Sequence, residues 1–295
     1  MGPARPAIEP RTRAQYRADL MQYSVSGWER LSFRNRMEEP LDGRTVPGEV
    51  VRRFEPARAG LPEISARDAC AYIETHQAER PWLAAARGCS PEVQRVFAAL
   101  DQGSGHGHIR HEGWVTEHMN ERRAAYQEDP AQLTPAKRAA GVDGLKERDQ
   151  PHRCRQTATR ISDADAFAVA FVRGIEHPEV RAVLDTRFVP RQAPRAVTLD
   201  VRDLLGPAGH LYCTGWRLLP VDGSDNRARA QRSAWVDACA QGRTPDVPAP
   251  GARPVQTFDG GKIVFAFGPN SARNRYEVLT MYPRPRADEP QGDTR

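Results

Sequence analysis

Apolar residues recur at helical spacing in several segments of the first two thirds of the chain. Ser65 and Ser90 each precede such a segment as capping residues, and a proline follows Ser90 at the first helical position. A polar helix is predicted over residues 114–128. The most apolar helix is predicted over Ala166–Gly174, because a serine and an acidic turn precede it and a glycine ends it. Residues 1 to about 60 show no long period, so we expect irregular structure with short helices there.

After residue 196 the period of the apolar positions changes to two, which predicts β-strands. The four predicted strands are Ala196–Val201, His210–Leu218, Lys262–Phe267 and Arg275–Tyr282. The last two form a hairpin through residues 268–274. Residues 222–261 are predicted to be an insertion with a short helix near residues 233–239. Helices followed by antiparallel strands predict an α+β fold, in which N-terminal helices precede a twisted sheet of about four strands with helices packed on one side.

The length and composition of the chain allow either two modest domains or one elaborated domain. It has 295 residues, and its hydrophobic fraction of 39% is ordinary for a globular protein once glycine is counted with it. We predict a helical or irregular region of unknown role over residues 1–100, a second domain over residues 101–285 and a disordered tail over residues 286–295. A charged connector is expected over residues 130–151.

The charge balance permits a polyanionic partner. Only Lys137, Lys146 and Lys262 are lysines among the 43 basic residues, and the formal net charge is +5. Arginine matches phosphate groups with two parallel hydrogen bonds, but net charge alone does not establish nucleic-acid binding. There is neither a signal-peptide pattern nor an apolar run of membrane-spanning length, so we expect no membrane span. Reduced thiols are expected at the five widely spaced cysteines, Cys70, Cys89, Cys154, Cys213 and Cys239.

Three histidines lie within six residues in a glycine-rich stretch, at His106, His108 and His111. Such a cluster can ligate a metal, transfer protons or simply be a solvated loop. The spacing is similar to the histidine motif of metallo-hydrolases, but Arg110 stands where that motif has an aspartate. A fixed cation at that position disfavours a metal site, so we expect no metal or other cofactor.

Proton transfer requires cationic and polar partners for the histidines. Arg122, eleven residues after His111, is a candidate for stabilising negative charge. Far along the chain, period two places Tyr276, Val278, Thr280 and Tyr282 on one face of the last predicted strand, so two hydroxyl groups point in the same direction. Threonine and tyrosine are also simply good strand residues, and both interpretations of this segment stay open.

The order of these motifs resembles a known family. Gly105-His106 through Arg110-His111, then Arg122, then the stretch from Thr157 to Phe167, and finally Tyr276-Glu-Val-Leu-Thr280-Met-Tyr282-Pro283 resemble the ribonuclease A-like toxin domains of bacterial contact-dependent growth inhibition and related polymorphic toxin systems. The resemblance covers roughly residues 103 to 285 and implies an α+β ribonuclease fold of the barnase, EndoU and colicin nuclease type.

The resemblance also implies a function and a set of site residues. It implies metal-independent cleavage of RNA, with tRNA a frequent target, by attack of the 2′-hydroxyl to leave a 2′,3′-cyclic phosphate. His111 would be the catalytic histidine, Arg122 the phosphate-stabilising cation, and Thr280 and Tyr282 the hydroxyl pair at the scissile phosphate. His106 would be a second acid or base, or a residue that shapes the loop.

The same resemblance implies a setting for this activity, and two other functions stay open beside it. The protein would act in the cytoplasm of a target cell after delivery without a cleavable signal, and an acidic immunity protein would suit its charge. One alternative is a noncatalytic module that binds RNA or accompanies a toxin. The other is a metal-dependent hydrolase that uses His106, His108 and His111.

Overall fold

The described part of the chain has an α+β architecture with its helices mainly on the N-terminal side. The computed structural model describes residues 32–133, 146–147, 150–151, 154–188, 196–270 and 273–286. Its α-helices are α1 Pro47–Arg52, α2 Ala66–His76, α3 Pro81–Ala86, α4 Pro91–Gln102, α5 Gly107–Arg110, α6 Glu117–Tyr126, α7 Ala164–Glu176, α8 Pro178–Leu184, α9 Val201–Leu205 and α10 Asp225–Ala240. Short 3₁₀ helices lie at Phe33–Arg36, Pro56–Ala59, Pro130–Leu133 and Gly209–Tyr212.

The strands form one two-stranded pair and two three-stranded antiparallel sheets. They are β1 Lys146–Glu147, β2 Gln150–Pro151, β3 Thr157–Ile161, β4 Ala196–Asp200, β5 Cys213–Leu218, β6 Ala252–Pro254, β7 Lys262–Asn270 and β8 Arg275–Arg284. β1 pairs with β2, the second sheet has the order β3-β5-β6, and the third has the order β4-β7-β8.

The predicted helices begin where their capping residues place them. The hydroxyl of Ser65 accepts a hydrogen bond from the backbone N–H of Asp68 at 3.1 Å, and that of Ser90 accepts one from Val93 at 3.3 Å. These bonds satisfy backbone donors that the first turn of a helix leaves without a partner. The irregular N-terminal stretch contains short helices from residue 33 onward, as predicted, and residues 1–31 lie outside the described part.

One hydrophobic core connects the N-terminal helices with the β-sheet. Its buried members run from Phe33 to Met281 and include Phe97 of α4, Phe167 of α7 and Phe265 of β7. Phe97 and Phe167 contact each other with ring centroids 5.7 Å apart. The residues before position 101 therefore bury their apolar side chains against the same core as the region predicted to carry the nuclease.

All four predicted strands are present, but they do not form one sheet. β4, β7 and β8 pair with one another, whereas β5 pairs with β3 and β6. The prediction of a single four-stranded sheet is wrong because β3 and β6 lie in segments whose short apolar pattern gave no strand signal. Once β3 lies beside β5, the backbone groups of β5 are satisfied on both sides within a separate sheet.

A β-bulge in β8 changes which of its side chains share a face. Ala266 pairs with Thr280 but Phe267 pairs with Val278, so Leu279 is an extra residue. Tyr276, Val278 and Met281 consequently face the core. The prediction that Tyr276 and Val278 share a face with Thr280 and Tyr282 is therefore wrong, since the alternation reverses at the bulge.

We call the opposite side of β8, which carries Glu277, Thr280 and Tyr282, its outer face. These residues lie opposite Gly268, Ala266 and Val264 of β7, respectively. Directly opposed residues of an antiparallel pair project to the same side of the sheet. Because two of the three opposed residues are small, a loop can approach this face closely.

The predicted insertion contains a longer helix than expected. α10 spans Asp225–Ala240, and its buried Arg232 donates hydrogen bonds to the carbonyls of Ala124 at 2.7 Å and Cys154 at 2.8 Å. The Ala124 carbonyl belongs to the last turn of α6, where carbonyls lack intrahelical partners. The insertion therefore supports α6.

Three further sequence predictions concern thiols, membranes and the chain ends. All five cysteines are free thiols. Within the described ranges, no helix is both long and apolar enough to span a membrane. Most of the predicted connector over residues 130–151 and nearly all of the predicted tail over residues 286–295 lie outside the described residues.

Candidate active site

The glycine-rich segment of residues 103–111, here called the histidine loop, lies along the outer face of β8. The backbone N–H of His106 donates to the carbonyl of Leu279 at 2.7 Å, and the Ser104 hydroxyl donates to the Glu277 carboxylate. A Cβ at Gly105 would lie 2.8 Å from the carbonyl oxygen of Val278, and one at Gly107 would lie 2.8 Å from the nitrogen of Met281. Glycine at these two positions permits the close approach.

His111 lies where the histidine loop meets both sheets. Its Nδ1 is 2.7 Å from the carbonyl oxygen of Thr159 in β3, and its own carbonyl accepts from the N–H of Ile161 at 2.8 Å. Its ring stacks on Tyr282 with centroids 5.1 Å apart, and only 7% of the residue is exposed. His111 is therefore held by β3 on one side and by β8 on the other.

These contacts determine which nitrogen of His111 carries the proton. A carbonyl oxygen can only accept, so Nδ1 must donate to Thr159, and the lone pair of the neutral ring lies on Nε2. A guanidinium nitrogen of Arg123 lies 3.3 Å from Nε2. Burial and the neighbouring charge of Arg123 lower the pKa of His111 well below its usual value. At neutral pH His111 is an unprotonated imidazole with Nε2 as an acceptor.

The cation beside His111 is Arg123 rather than the predicted Arg122. Arg123 is buried and also donates to the Arg110 carbonyl at 2.8 Å. Arg122 points elsewhere: it forms a two-point ion pair with Glu128, one arm of which is 2.5 Å long, and its guanidinium lies over the Tyr126 ring. Consecutive helical residues project about 100° apart, so only one of the two arginines can face the histidine.

The two predicted hydroxyl residues do share a face beside the histidine loop. Thr280 lies next to Gly107, whose added Cβ would be 3.4 Å from the Thr280 Cα, and Tyr282 stacks on His111. The Thr280 hydroxyl oxygen is buried and has no hydrogen-bond partner among the described residues. A buried hydroxyl without a partner costs free energy, so its position is consistent with a polar group that arrives from outside.

His106 is the more exposed of the two histidines near this face. Burial and the neighbouring cations Arg110 and Arg123 lower its pKa to about 4. Arg110 is itself held by Asp129 through two hydrogen bonds of 2.9 and 2.6 Å. His106 is therefore unprotonated at neutral pH and surrounded by positive charge.

His108 projects from the opposite side of α5 into the N-terminal helices. It is fully buried, its ring contacts Trp82, and its Nε2 lies 3.7 Å from the Asp101 carboxylate. Asp101 also accepts hydrogen bonds from Tyr72 at 2.7 Å, from Trp82 at 2.6 Å and from Arg80. Burial opposes ionisation of Asp101, but His108, Trp82 and Tyr72 outweigh it and hold its pKa below the usual range.

The three histidines do not converge on one point. His108 faces Trp82 and Asp101, while His111 faces Thr159, Arg123 and Tyr282. No group of three or more histidine, cysteine or carboxylate side chains in the described ranges is arranged to hold a metal ion. The arrangement instead combines neutral imidazoles with cations and hydroxyl groups.

Two residues of the site, Arg123 and Glu277, were missed by the sequence analysis. The signal for Arg123 was the position of the helix start. Thr116 caps α6 by accepting from the N–H of Met119 at 3.2 Å, and Arg123 follows this cap by seven residues, two helical turns on. Counting from His111 ignored the variable loop before Thr116. Glu277 was missed because no sequence signal marked the bulge.

Comparisons of the chain with protein-family models, with curated proteins and with solved structures gave no match. The functional argument therefore rests on the geometry of the histidine loop and the outer face of β8.

Proposed function

We propose that the protein is a metal-independent endoribonuclease whose reactive groups are His111, Arg123, Thr280 and Tyr282. The observation that carries the proposal is the meeting of the histidine loop with the outer face of β8, more than 150 residues away along the chain. A neutral imidazole, a buried cation and an unpartnered hydroxyl lie together there. These are the groups that RNA transesterification requires.

In the proposed reaction, the 2′-hydroxyl of RNA gives its proton to Nε2 of His111. The 2′-oxygen then forms a bond to the adjacent phosphorus, and the bond from phosphorus to the 5′-oxygen breaks. Arg123 and the Thr280 hydroxyl stabilise the negative charge that develops on the phosphate oxygens. The products are a 2′,3′-cyclic phosphate and a 5′-hydroxyl.

The departing 5′-oxygen requires a proton donor, and Tyr282 suits this role better than His106. With its pKa lowered to about 4, His106 carries no proton to give at neutral pH. The Tyr282 side chain shares the outer face with Thr280 and stacks on His111. The tyrosine would then recover its proton from the protonated His111 through solvent, which closes the cycle.

The biological setting of this activity is part of the proposal and has separate support. The toxin role, a tRNA substrate and delivery into the cytoplasm of a target cell come from the family resemblance alone. The net charge of +5 favours both RNA and an acidic immunity protein as partners.

The test is cleavage of an RNA by the purified full-length chain in EDTA, with the chemistry of the new ends determined. We expect 2′,3′-cyclic phosphate ends and 5′-hydroxyl ends, and no cleavage by the His111→Gln variant under the same conditions. Loss of wild-type activity on chelation, or 5′-phosphate ends, would contradict the proposal.

The low exposure of His111 favours one other candidate, a noncatalytic RNA-binding module. Only 7% of the residue is accessible, so RNA must displace part of the covering surface before the 2′-hydroxyl can reach Nε2. RNA binding without cleavage, unchanged in His111→Gln, would support this second candidate.

A further inference from the structure

A shallow cleft of about 500 Å³ lies beside the first residues of the histidine loop. We call it the Glu277 cleft. Polar and small residues line it, among them Pro62, Gln102, Ser104, Asn270, Arg273 and Glu277. It is open to solvent on one side, and the Glu277 side chain, which is 6% exposed, belongs to its floor.

The Glu277 cleft adjoins the candidate active site along β8. Glu277 and Thr280 lie on the same outer face because of the bulge at Leu279. They are three residues apart, about 10 Å along the strand. A single nucleotide in an extended strand can span this distance, so a phosphate at Thr280 would place a neighbouring base near Glu277.

The Glu277 carboxylate is fixed in orientation and retains acceptor capacity. One oxygen accepts from the Ser104 hydroxyl, and the other accepts from the Asn270 amide at 2.8 Å. Each carboxylate oxygen has two lone-pair sites, and the described residues fill one on each. Two neighbouring acceptor sites are thus available to a ligand.

The nearby segments are joined to one another, which makes the cleft a formed site. Arg273 donates to the carbonyls of Ala57 at 3.3 Å and Leu61 at 3.4 Å, so the end of the β7–β8 hairpin is tied to the N-terminal segment. Its backbone N–H also donates to the Asn270 side chain at 3.1 Å. Asn270 in turn orients Glu277, so the acceptors are held before any ligand binds.

The chemistry of the acceptors selects among the four bases. Guanine presents two adjacent N–H donors on its Watson–Crick edge, at N1 and at the exocyclic N2. Uracil presents one N–H between two carbonyl oxygens, which a carboxylate repels. Unpaired bases in single-stranded RNA are the ones that proteins recognise at these edges.

We propose that the Glu277 cleft binds the base of a nucleotide next to the scissile phosphate and prefers guanine to uracil. Its role in cleavage rests on the proposed ribonuclease function, whereas its ability to bind the base does not. Glu277 is therefore a specificity residue and takes no part in the proton transfers.

The first experiment measures base binding without cleavage. Guanosine 5′-monophosphate and uridine 5′-monophosphate are titrated separately into the full-length chain, and binding is followed by calorimetry. We expect the guanine nucleotide to bind about tenfold more tightly, as a two-point base contact allows. Equal affinity for the two nucleotides would overturn the inference.

Variants identify the residue responsible for this preference. Glu277→Gln exchanges one acceptor oxygen for a donor and should reduce the preference to about twofold or less. Glu92→Gln removes the same charge at the opposite end of α4 and should leave the preference unchanged. Gln102→Ala, at an exposed position, should weaken the preference without affecting folding. An unchanged preference in both Glu277→Gln and Gln102→Ala would overturn the inference.

The second experiment separates this inference from the proposed function. Cleavage of RNA oligonucleotides that differ in one base beside the cut should favour guanine, and Glu277→Gln should lower that ratio. Cleavage without base preference would overturn the inference and leave the ribonuclease function standing. No cleavage of any oligonucleotide, with guanine binding retained, would overturn the ribonuclease function and leave the cleft as a base-binding site.

Discussion

The two sides of α5 carry buried histidines in opposite environments. On the side of the N-terminal helices, His108 faces a carboxylate that already accepts hydrogen bonds from Tyr72, Arg80 and Trp82. On the side of β8, His111 faces the guanidinium of Arg123 and the ring of Tyr282. Both residues are almost inaccessible to solvent, so burial alone does not separate them.

The difference lies in the charges and in the partners of the surrounding groups. The carboxylate beside His108 is saturated by neighbouring side chains, which is typical of a network that stabilises a fold. Next to His111 the nearby charges are positive and the Thr280 hydroxyl has no partner in the described residues. An excess of positive charge with an unpartnered donor suits an anionic ligand. We therefore assign structure to the His108 side and chemistry to the His111 side.

The largest expected effect is the loss of activity when His111 is replaced. His111→Gln keeps a donor for the Thr159 carbonyl but removes the basic nitrogen, and RNA cleavage should fall by about 10²- to 10⁴-fold. The rate is measured under single-turnover conditions. As a matched control, His118→Gln replaces an exposed histidine at the start of α6 and should retain full activity. Full activity in His111→Gln would remove the distinction between the two sides of α5.

The next largest effect should separate two consecutive arginines. Arg123→Gln should lower the cleavage rate by about 10²- to 10³-fold, because it removes the cation nearest to Nε2 of His111. Arg122→Gln should change the rate by about threefold or less, since Arg122 is paired with Glu128. Thermal unfolding of both variants shows whether they fold. The reverse order of effects would restore Arg122 as the phosphate-stabilising residue.

On the His108 side, the expected effect is on stability. Asp101→Asn should lower the free energy of unfolding by about 2–3 kcal/mol at neutral pH, because it removes a charged acceptor from a buried network. The pKa of Asp101 is lowered in the fold, so its contribution is present above about pH 4 and is lost as the pH falls through the folded value. Denaturant unfolding at several pH values should show a smaller loss on acidification in the variant.

If Asp101→Asn abolished cleavage while the protein remained folded at full stability, the network would belong to the chemistry. The comparison between the two sides of α5 would then be wrong. Cleavage by the folded variant within about threefold of the wild-type rate is the expected outcome, because Asp101 contacts none of the proposed reactive groups.

The smallest expected effect concerns Glu112, the residue after His111. Burial raises its pKa to about 8, so the fold favours its protonated form. The unfolded chain ionises this group near pH 4.5, and stability is therefore lost as the pH rises from about 4.5 to 8. Glu112→Gln should be more stable than the wild-type protein at pH 8 by about 1–2 kcal/mol, with little difference at pH 4. A destabilised variant at pH 8 would contradict this assignment.

The sequence predicted the local structure better than the pairing of strands. Capping residues and helical periods placed α2, α4 and α7, and period two placed β4, β5, β7 and β8. The sheet order could not be predicted in the same way, because β5 pairs with a strand more than 50 residues earlier that gave little signal. Strand pairing is decided by contacts between distant segments, and a single sequence records them only weakly.

The candidate site was predicted in part for the same reason. His106, His111, Thr280 and Tyr282 come together as expected, since short motifs named them directly. The arginine was misplaced by one position because its orientation depends on where α6 begins. The role of Glu277 depended on a one-residue bulge, which reverses the face of every later side chain in the strand.

The most direct measurement of the central claim compares an RNA oligonucleotide with a copy that has a single 2′-deoxy nucleotide at the mapped cut. Both are incubated with the full-length wild-type protein in EDTA. We predict that the RNA is cut at this linkage and that the deoxy copy is not, because no 2′-hydroxyl is present to give its proton to His111. Equal cleavage of the two oligonucleotides at this linkage would contradict the proposed reaction.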